Sequence, residues 1–192
     1  MTGSRHNQRS VLSAAIAVFS QRGYDAATMD DIADFAGLSR PALYHHAPSK
    51  QELLRLALEP LLSALESIRL QQQAPHGPAI TRLEAVVHQM IKILTAQAPC
   101  VTLLLHLRGN TDVERAAVSR RGAIDNQLAE LVSEAWNENS IRSEVEPFTA
   151  ARLLIGMINS TADGYRPSNG PTPQHMADEI LRLALHGMRS SH

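Results

Sequence analysis

Residues 28–46 read TMDDIADFAGLSRPALYHH, and the order of residue types in this stretch decides the fold. Thr28 followed three residues later by Asp31 is a capping-box start for a short helix, MDDIADFA, which Gly37 brings to an end. Ser39 opens a second short helix, RPALYHH, with Pro41 in its first turn, where a missing N–H costs little. Ala33, Gly37 and Leu43 have the spacing of a helix-turn-helix: a small residue for close approach, a glycine for the tight turn, and an aliphatic residue to lock the second helix. Ile32, Phe35 and Leu38 are expected to complete that small core.

This arrangement carries a functional expectation. The second helix of such a pair enters a DNA major groove, with Arg40, Pro41 and Ala42 on its first turn. A guanidinium at Arg40 can bond guanine O6 and N7 together, and Ala42 can touch a thymine methyl. Tyr44, His45 and Lys50 are expected on phosphates, with one of His45 and His46 packed against the preceding helix instead. Thr28, Ser39 and Ser49 stand at helix starts, where free N–H groups favour an anion. Over residues 1–50 five basic side chains face four acidic ones, so affinity for DNA should be modest and salt-sensitive.

Working outward, residues 4–22 form a first helix ending at Gly23, with Leu12, Ala15, Ile16 and Phe19 on one face. Arg5, Arg9 and the apolar run after them imitate a secretory signal, but the helical period favours a retained, cytoplasmic segment. Ser49 and Glu52 give a capping box for a fourth helix, which Pro60 should kink near Leu56 to Glu59. A linker, APHGPA, follows at 74–79. A fifth helix then turns Leu83, Val86, Val87, Met90, Ile91 and Leu94 inward, and a sixth, VTLLLHL, is apolar nearly all round. A long charged helix runs from Asp112 to about Asn139, an eighth from Pro147 to about Tyr165, and a ninth, capped by Thr172 and Pro173, ends near Met188. No alternating pattern suggests a sheet. The chain therefore reads as all-α with about nine helices: a three-helix DNA-binding domain at 1–48, and a larger helical domain at 49–192 for effector binding and dimerisation.

Composition agrees. With 44% apolar and 19% charged residues and a net charge of −1, the 192-residue chain has the balance of a globular protein. The single cysteine, Cys100, excludes an internal disulfide framework and fits a reducing cytoplasm. The longest uncharged run, 93–107, is shorter than the roughly 20 residues of a membrane span, so no membrane partner is expected. The histidines and the cysteine lack metal-ligand spacing, and no GxSxG elbow, P-loop or HExxH motif is present. No cofactor, metal or catalytic residue is expected; an enzyme on a helical scaffold and an effector-independent DNA-binding protein are the competing readings.

The C-terminal helices are apolar on two adjoining faces. On the ninth, Met176, Ile180, Leu183, Ala184 and Gly187 lie beside Leu181, Leu185 and Met188; on the eighth, Phe148, Ala151, Ile155 and Ile158 lie beside Leu154, Met157 and Thr161. One face suffices to dock each helix on its own chain, so the second, carried by the residues named first in each pair, is expected at a four-helix homodimer interface. For an effector pocket, Leu65, Met90, Leu94, Leu104, Trp136 and Met157 are candidate walls, with Cys100, His106, Arg108 and Asn159 as polar selectors.

The segment from Val11 to Lys50 resembles the N-terminal domain of the TetR family of bacterial transcriptional regulators. The resemblance rests on AA…F…GY in the first helix, T-x-x-D-I-A, AG-x-S, LY-x-H and the final S-K. It implies an all-α homodimer with a three-helix DNA-binding domain and a larger C-terminal domain that binds a small effector. The expected function is a homodimeric repressor released from a palindromic double-stranded DNA operator by a small apolar or acyl-CoA-like effector. Two positions depart: Ala47 replaces a usual bulky aromatic, and Pro41 a commoner glycine or small residue. Further on, LLLHLRG, SRRGAIDNQLAELV, ARLLIGMINS and YRPSNGPTPQHMADEILRLALHGM resemble a subgroup controlling lipid and steroid-ring breakdown in response to acyl-CoA thioesters. Gly164 precedes Tyr165-Arg166-Pro167 where that subgroup has tryptophan.

Overall fold

A computed structural model describes residues 2–71, 77–162 and 170–188, with side-chain surroundings over 8–68, 77–162 and 170–186. Among the described residues there are nine helices: α1 (Thr2–Arg22), α2 (Met29–Ala36), α3 (Arg40–His46), α4 (Lys50–Gln71), α5 (Ala79–Ala96), α6 (Ala98–His106), α7 (Asp112–Asn137), α8 (Pro147–Ser160) and α9 (Pro173–Met188). The expected all-α architecture is what the chain adopts. None of these helices is long and apolar enough to cross a membrane. Residues 74–76 of the 74–79 linker, residues 165–167 and the loop before Gly170 lie outside the described residues.

The chain packs as two units, one of Met1–Leu62 with Pro99–Arg120, the other of Ser63–Ala98 with Arg121–His192. Packing thus divides within α4 and α7 and not at the 48/49 boundary. A three-helix domain of about fifty residues buries too little surface to stand well alone. The first unit accordingly adds the buried Leu53, Leu54, Leu58 and Leu61 of α4 and Val101, Leu103 and Leu104 of α6. Two bonds tie these additions together: Cys100 Sγ approaches the Ala57 carbonyl at 3.7 Å, and Asn110 Nδ2 donates to Asp25 Oδ2 at 2.9 Å. α4 continues through Pro60, which is exposed.

Within the first unit α1 packs on α2 and α3. Its buried side is Val11, Ala14, Ala15, Val18 and Phe19, with Leu12 and Ile16 only half-buried, so the face is rotated from the one expected. Tyr24 meets Phe19 edge to face at 5.2 Å. α7 starts with a reciprocal capping box unforeseen in the sequence. Thr111 Oγ1 accepts from the Glu114 N–H at 3.3 Å, and the buried Glu114 carboxylate accepts from the Thr111 N–H at 2.9 Å.

In the second unit α5 packs against α8 and α9. Leu83, Val86, Val87, Met90, Ile91 and Leu94 are buried, as periodicity predicted. Thr172 caps α9 through the His175 N–H at 3.1 Å. His88 on α5 clamps α9: its Nε2 lies 2.8 Å from Asp178 Oδ1 and its Nδ1 2.8 Å from the Glu84 carbonyl. Both partners are acceptors, so only the doubly protonated imidazolium satisfies both bonds. Burial alone pulls the His88 pKa down, but its bonds to Asp178 and Glu84 with their charges outweigh burial and raise it above the ordinary 6.5. The hydrogen bond from His88 first, and its charge, hold the Asp178 carboxyl below 3.8.

A group with a raised folded pKa contributes stability that is full below its unfolded value and lost as pH rises through the folded one; a depressed carboxyl contributes above its unfolded value. The clamp therefore acts between the lowered Asp178 value and the raised His88 value. Because Asp178 is solvent-screened, the effect is small. Asp178→Asn should lower Tm by a few degrees at about pH 5.5, with the difference shrinking at about pH 9; thermal melts across pH check this.

Candidate nucleic-acid interface

The helix-turn-helix forms from local chemistry. Thr28 Oγ1 accepts from the Asp31 N–H at 3.1 Å while Asp31 Oδ2 accepts from the Thr28 N–H at 2.9 Å. The hydrogen bonds to Thr28 first, and Arg22 nearby, hold the Asp31 carboxyl below its usual range. Gly37 ends α2 at φ 65°, in the left-handed region where a side chain is strained, and the Leu38 N–H closes on the Ala33 carbonyl at 2.9 Å. Ile32, Ala33 and Leu43 are buried at the crossing. Phe35, expected in this core, is instead 55% exposed. The inward stripe of α2 is Met29, Ile32 and Ala33, and 100° per residue carries position 35 well off it. Leu38 is half-buried, and Ala47 is buried despite its small size.

The first turn of α3 faces outward. Arg40 and Pro41 are exposed, Ala42 is half-buried, and Arg40 Nε lies 2.9 Å from Asp30 Oδ1. Ser39 occupies the N-cap position but makes no capping bond. Pro41, the second helical residue, has no N–H to offer it, and the Ala42 N–H does not bond it either, so the exposed serine hydroxyl remains available to a ligand. Tyr44 is 41% exposed, His45 is exposed and His46 half-buried, while Thr28 is exposed. The Ser49 box forms one arm, the Glu52 N–H to Ser49 Oγ at 3.1 Å; the Glu52 carboxylate goes to Arg55.

Lys50 is placed differently from expectation. Its Nζ donates to the Tyr24 carbonyl at 2.8 Å and the Asp25 carbonyl at 3.0 Å, and sits 4.6 Å from the Tyr24 ring centroid. The ammonium is thereby a strut between the α1–α2 turn and α4, and not a charge held out to a phosphate. Sequence proximity to the helix-turn-helix was no guide, because both carbonyls are some twenty-five residues away.

Comparison with known proteins agrees with this geometry. Residues 11–57 match the model described as bacterial regulatory proteins, tetR family, and residues 76–188 match the tetracyclin repressor-like C-terminal domain. The chain belongs to the TetR family. It is 55% identical over 158 residues to the HTH-type transcriptional activator FasR of Mycolicibacterium smegmatis, covering 81% of this chain and 69% of FasR. It is 26% identical to the HTH-type transcriptional repressor KstR2 of Rhodococcus jostii, covering 100% and 95% of the two chains. The crystal structure of SCO3833, a TetR-family member from Streptomyces coelicolor, superposes with a TM-score of 0.85 at 42% identity, covering 94% and 91%. The protein is thus a DNA-binding transcriptional regulator with an N-terminal helix-turn-helix.

The expected pocket residues are divided between the two units. In the first unit Leu104 and Cys100 are buried, while His106 and Arg108 are exposed. Burial pushes the Cys100 thiol up to about 11, so it is an inert apolar group. In the second unit Leu65 and Met90 flank a void of only about 20 Å³, and Leu94 is core. Met157 and Asn159 line two separate open grooves, and Trp136 is half-buried with its indole N–H unpartnered. The first unit holds a further hollow, lined by residues the sequence reading did not name as pocket walls. A cleft of about 210 Å³ lies between Arg55, Leu58, Glu59 and Leu62 of α4 and Asp112, Val113, Ala116, Ala117 and Arg120 of α7. The spacing was present in the sequence: Arg55, Leu58, Glu59 and Leu62, and likewise Val113, Ala116, Ala117 and Arg120, recur at i, i+3, i+4 and i+7. Arg120 pairs with Glu59 through two bonds, at 2.9 and 3.1 Å. Among the described residues no cluster of three His, Cys, Asp or Glu side chains gathers as a metal site.

The second unit sorts the expected dimer residues. Phe148 and Leu183 are 62% and 70% exposed, and Ile155, Met176 and Ile180 are half-buried. Ala151, Ile158 and Ala184 are buried within their own chain, because they sit on the docking side of α8 and α9 with Leu154 and Leu181. Leu153, 65% exposed, joins the outward face unforeseen. The side-chain surroundings of Gly187 lie outside those described.

Removal of the Lys50 strut should act on stability and not on phosphate contact. Lys50→Ala should lower Tm by a few degrees and leave the slope of log K against log salt for DNA binding unchanged, whereas a lost phosphate contact changes it by about 0.9 each.

Proposed function

We propose that the protein is a homodimeric cytoplasmic repressor, released from a palindromic operator by an apolar effector with an anionic group, of acyl-thioester type. Residues 1–48 read DNA, through Arg40, Pro41 and Ala42 at base edges and Thr28, Ser39, Tyr44, His45 and His46 at the backbone; residues 49–192 bind effector and partner. The observation that carries this reading is the Arg40 end of α3, exposed on a helix whose root, Leu43, is locked inside. A DNA-reading surface rather than a reaction centre is what the chain offers, and regulation rather than catalysis is its role.

The dimer is supported by Phe148, Leu153 and Leu183, large apolar side chains exposed on adjoining helices that already use their other side internally. Two helices per subunit make the four-helix interface that would space two recognition helices one DNA turn apart, about 34–36 Å. The double variant Phe148→Glu with Leu183→Glu should turn a dimer into a monomer in sedimentation and weaken operator binding at least tenfold; an unchanged dimer contradicts the assignment.

The α4–α7 cleft is the effector site in this reading. Its floor is Leu58, Leu62, Val113 and Ala117, and Arg55 and Arg120 stand at its walls. An apolar chain fits the floor, and a thioester's phosphates or a carboxylate compete with Glu59 for Arg120. Parting α4 from α7 strains the same unit that carries the helix-turn-helix, through the Asn110–Asp25 bond and the Lys50 strut. An acyl-CoA panel should raise Tm of the wild type by mass action and weaken operator binding tenfold or more. Ala117→Trp, which fills the cleft, should bind operator normally and respond to neither test. Unchanged operator affinity at saturating ligand contradicts gating. The 55% identity to FasR, an activator, favours a second reading in which the same binding event raises transcription; in vitro transcription with and without ligand separates the two.

A further inference from the structure

The start of α2 carries two adjacent carboxylates that have different work. Asp31 is committed to the Thr28 cap and to Arg22, whose Nη1 lies 2.5 Å from its Oδ1. Asp30, one residue earlier, reaches across to the first residue of the recognition helix: its Oδ1 forms an ion pair with Arg40, 2.9 Å from Nε. Both partners are more than half exposed, so the pair adds little to stability. Its consequence lies in direction.

We infer that Asp30 is a specificity-determining residue, one that aims the Arg40 guanidinium at a guanine and restricts how the two can meet. This rests on the reading of α3 as the major-groove helix. A guanidinium has a side-on edge, Nε with one Nη, and an end-on edge of both Nη atoms; either edge can satisfy guanine O6 and N7. Asp30 Oδ1 stands 2.9 Å from Nε, where it crowds and repels an approaching guanine O6 or N7, so the end-on edge is the open one. The side chain is also held before DNA arrives, which reduces the rotamer freedom it loses on binding. The same carboxylate offsets the Arg40 charge, which weakens attraction to phosphates irrespective of sequence and leaves the directional base contact as the gain. A carboxylate beside a DNA-reading arginine, in a domain with a charge excess of one, would otherwise be a plain liability.

The test uses the full-length protein and duplexes that the wild type selects from a randomised library, with single base-pair variants of them. Anisotropy titrations at fixed salt compare wild type, Asp30→Ala, Asp30→Asn and Arg40→Ala. Asp30→Ala should reduce discrimination at the guanine read by Arg40 about tenfold, raise affinity for unrelated duplexes, and leave Tm unchanged. Asp30→Asn, whose amide oxygen can still accept from Nε, should restore part of the discrimination. If Asp30→Ala tightens binding to every duplex equally while Arg40→Ala abolishes the base preference, Asp30 is a repelling charge only and the inference fails alone. If Arg40→Ala leaves the preference intact, Arg40 reads no base, and the inference falls together with the reading beneath it.

Discussion

The crossing of α2 and α3 depends on Gly37 holding φ at 65°. A β-carbon there would strain the backbone, and without that turn the Leu38 N–H could not close on the Ala33 carbonyl. Ala33 then lets the second helix come near, Ile32 and Leu43 bury each other's surroundings, and α3 has one orientation left. Everything that faces outward follows from it: the exposed Arg40, the free Ser39 hydroxyl, the half-buried Ala42. A DNA-reading tip is a by-product of a small core being filled from the other side.

The same economy recurs at larger scale. Three short helices are too small to hold themselves rigid, so the first unit borrows half of α4, nearly all of α6 and the start of α7. Borrowing makes the reading head sensitive to whatever moves those helices. The α4–α7 cleft, the Asn110–Asp25 bond and the Lys50 strut lie in one unit with the helix-turn-helix, which is the route by which a ligand would act under the proposed function. The second unit contributes a different resource, α8 and α9 with one side spent inward and Phe148, Leu153 and Leu183 unspent.

Much of this was legible in the sequence where the governing interaction is local. The Thr28–Asp31 box, the Gly37 stop, the Thr172 cap and the inward stripe of α5 each involve residues within a few positions of one another, and each appears as read. Even local reading misled where two rules competed: Pro41 removes one of the two N–H groups that Ser39 could have capped and no bond forms to the other, and the helical period turns Phe35 outward although it is aromatic. Long-range partners were invisible. Lys50 finds the carbonyls of Tyr24 and Asp25, and His88 finds Asp178 ninety positions away, from nothing that spacing reveals. The pocket was the least legible, because core leucines and lining leucines are the same residue type. The charged side chains set among the apolar ones on α4 and α7, Arg55, Glu59 and Arg120, were the better signal.

The central claim is that the Arg40 end of α3 sits in a major groove, once per subunit of a symmetric pair. Dimethyl sulfate reacts with guanine N7, the atom such an arginine would cover, so methylation protection on a duplex bound by the protein reports on it directly. Protected guanines are expected in two half-sites whose centres lie about 10 base pairs, or a multiple of that, apart. Binding at full occupancy with every guanine N7 as reactive as in free DNA would contradict it.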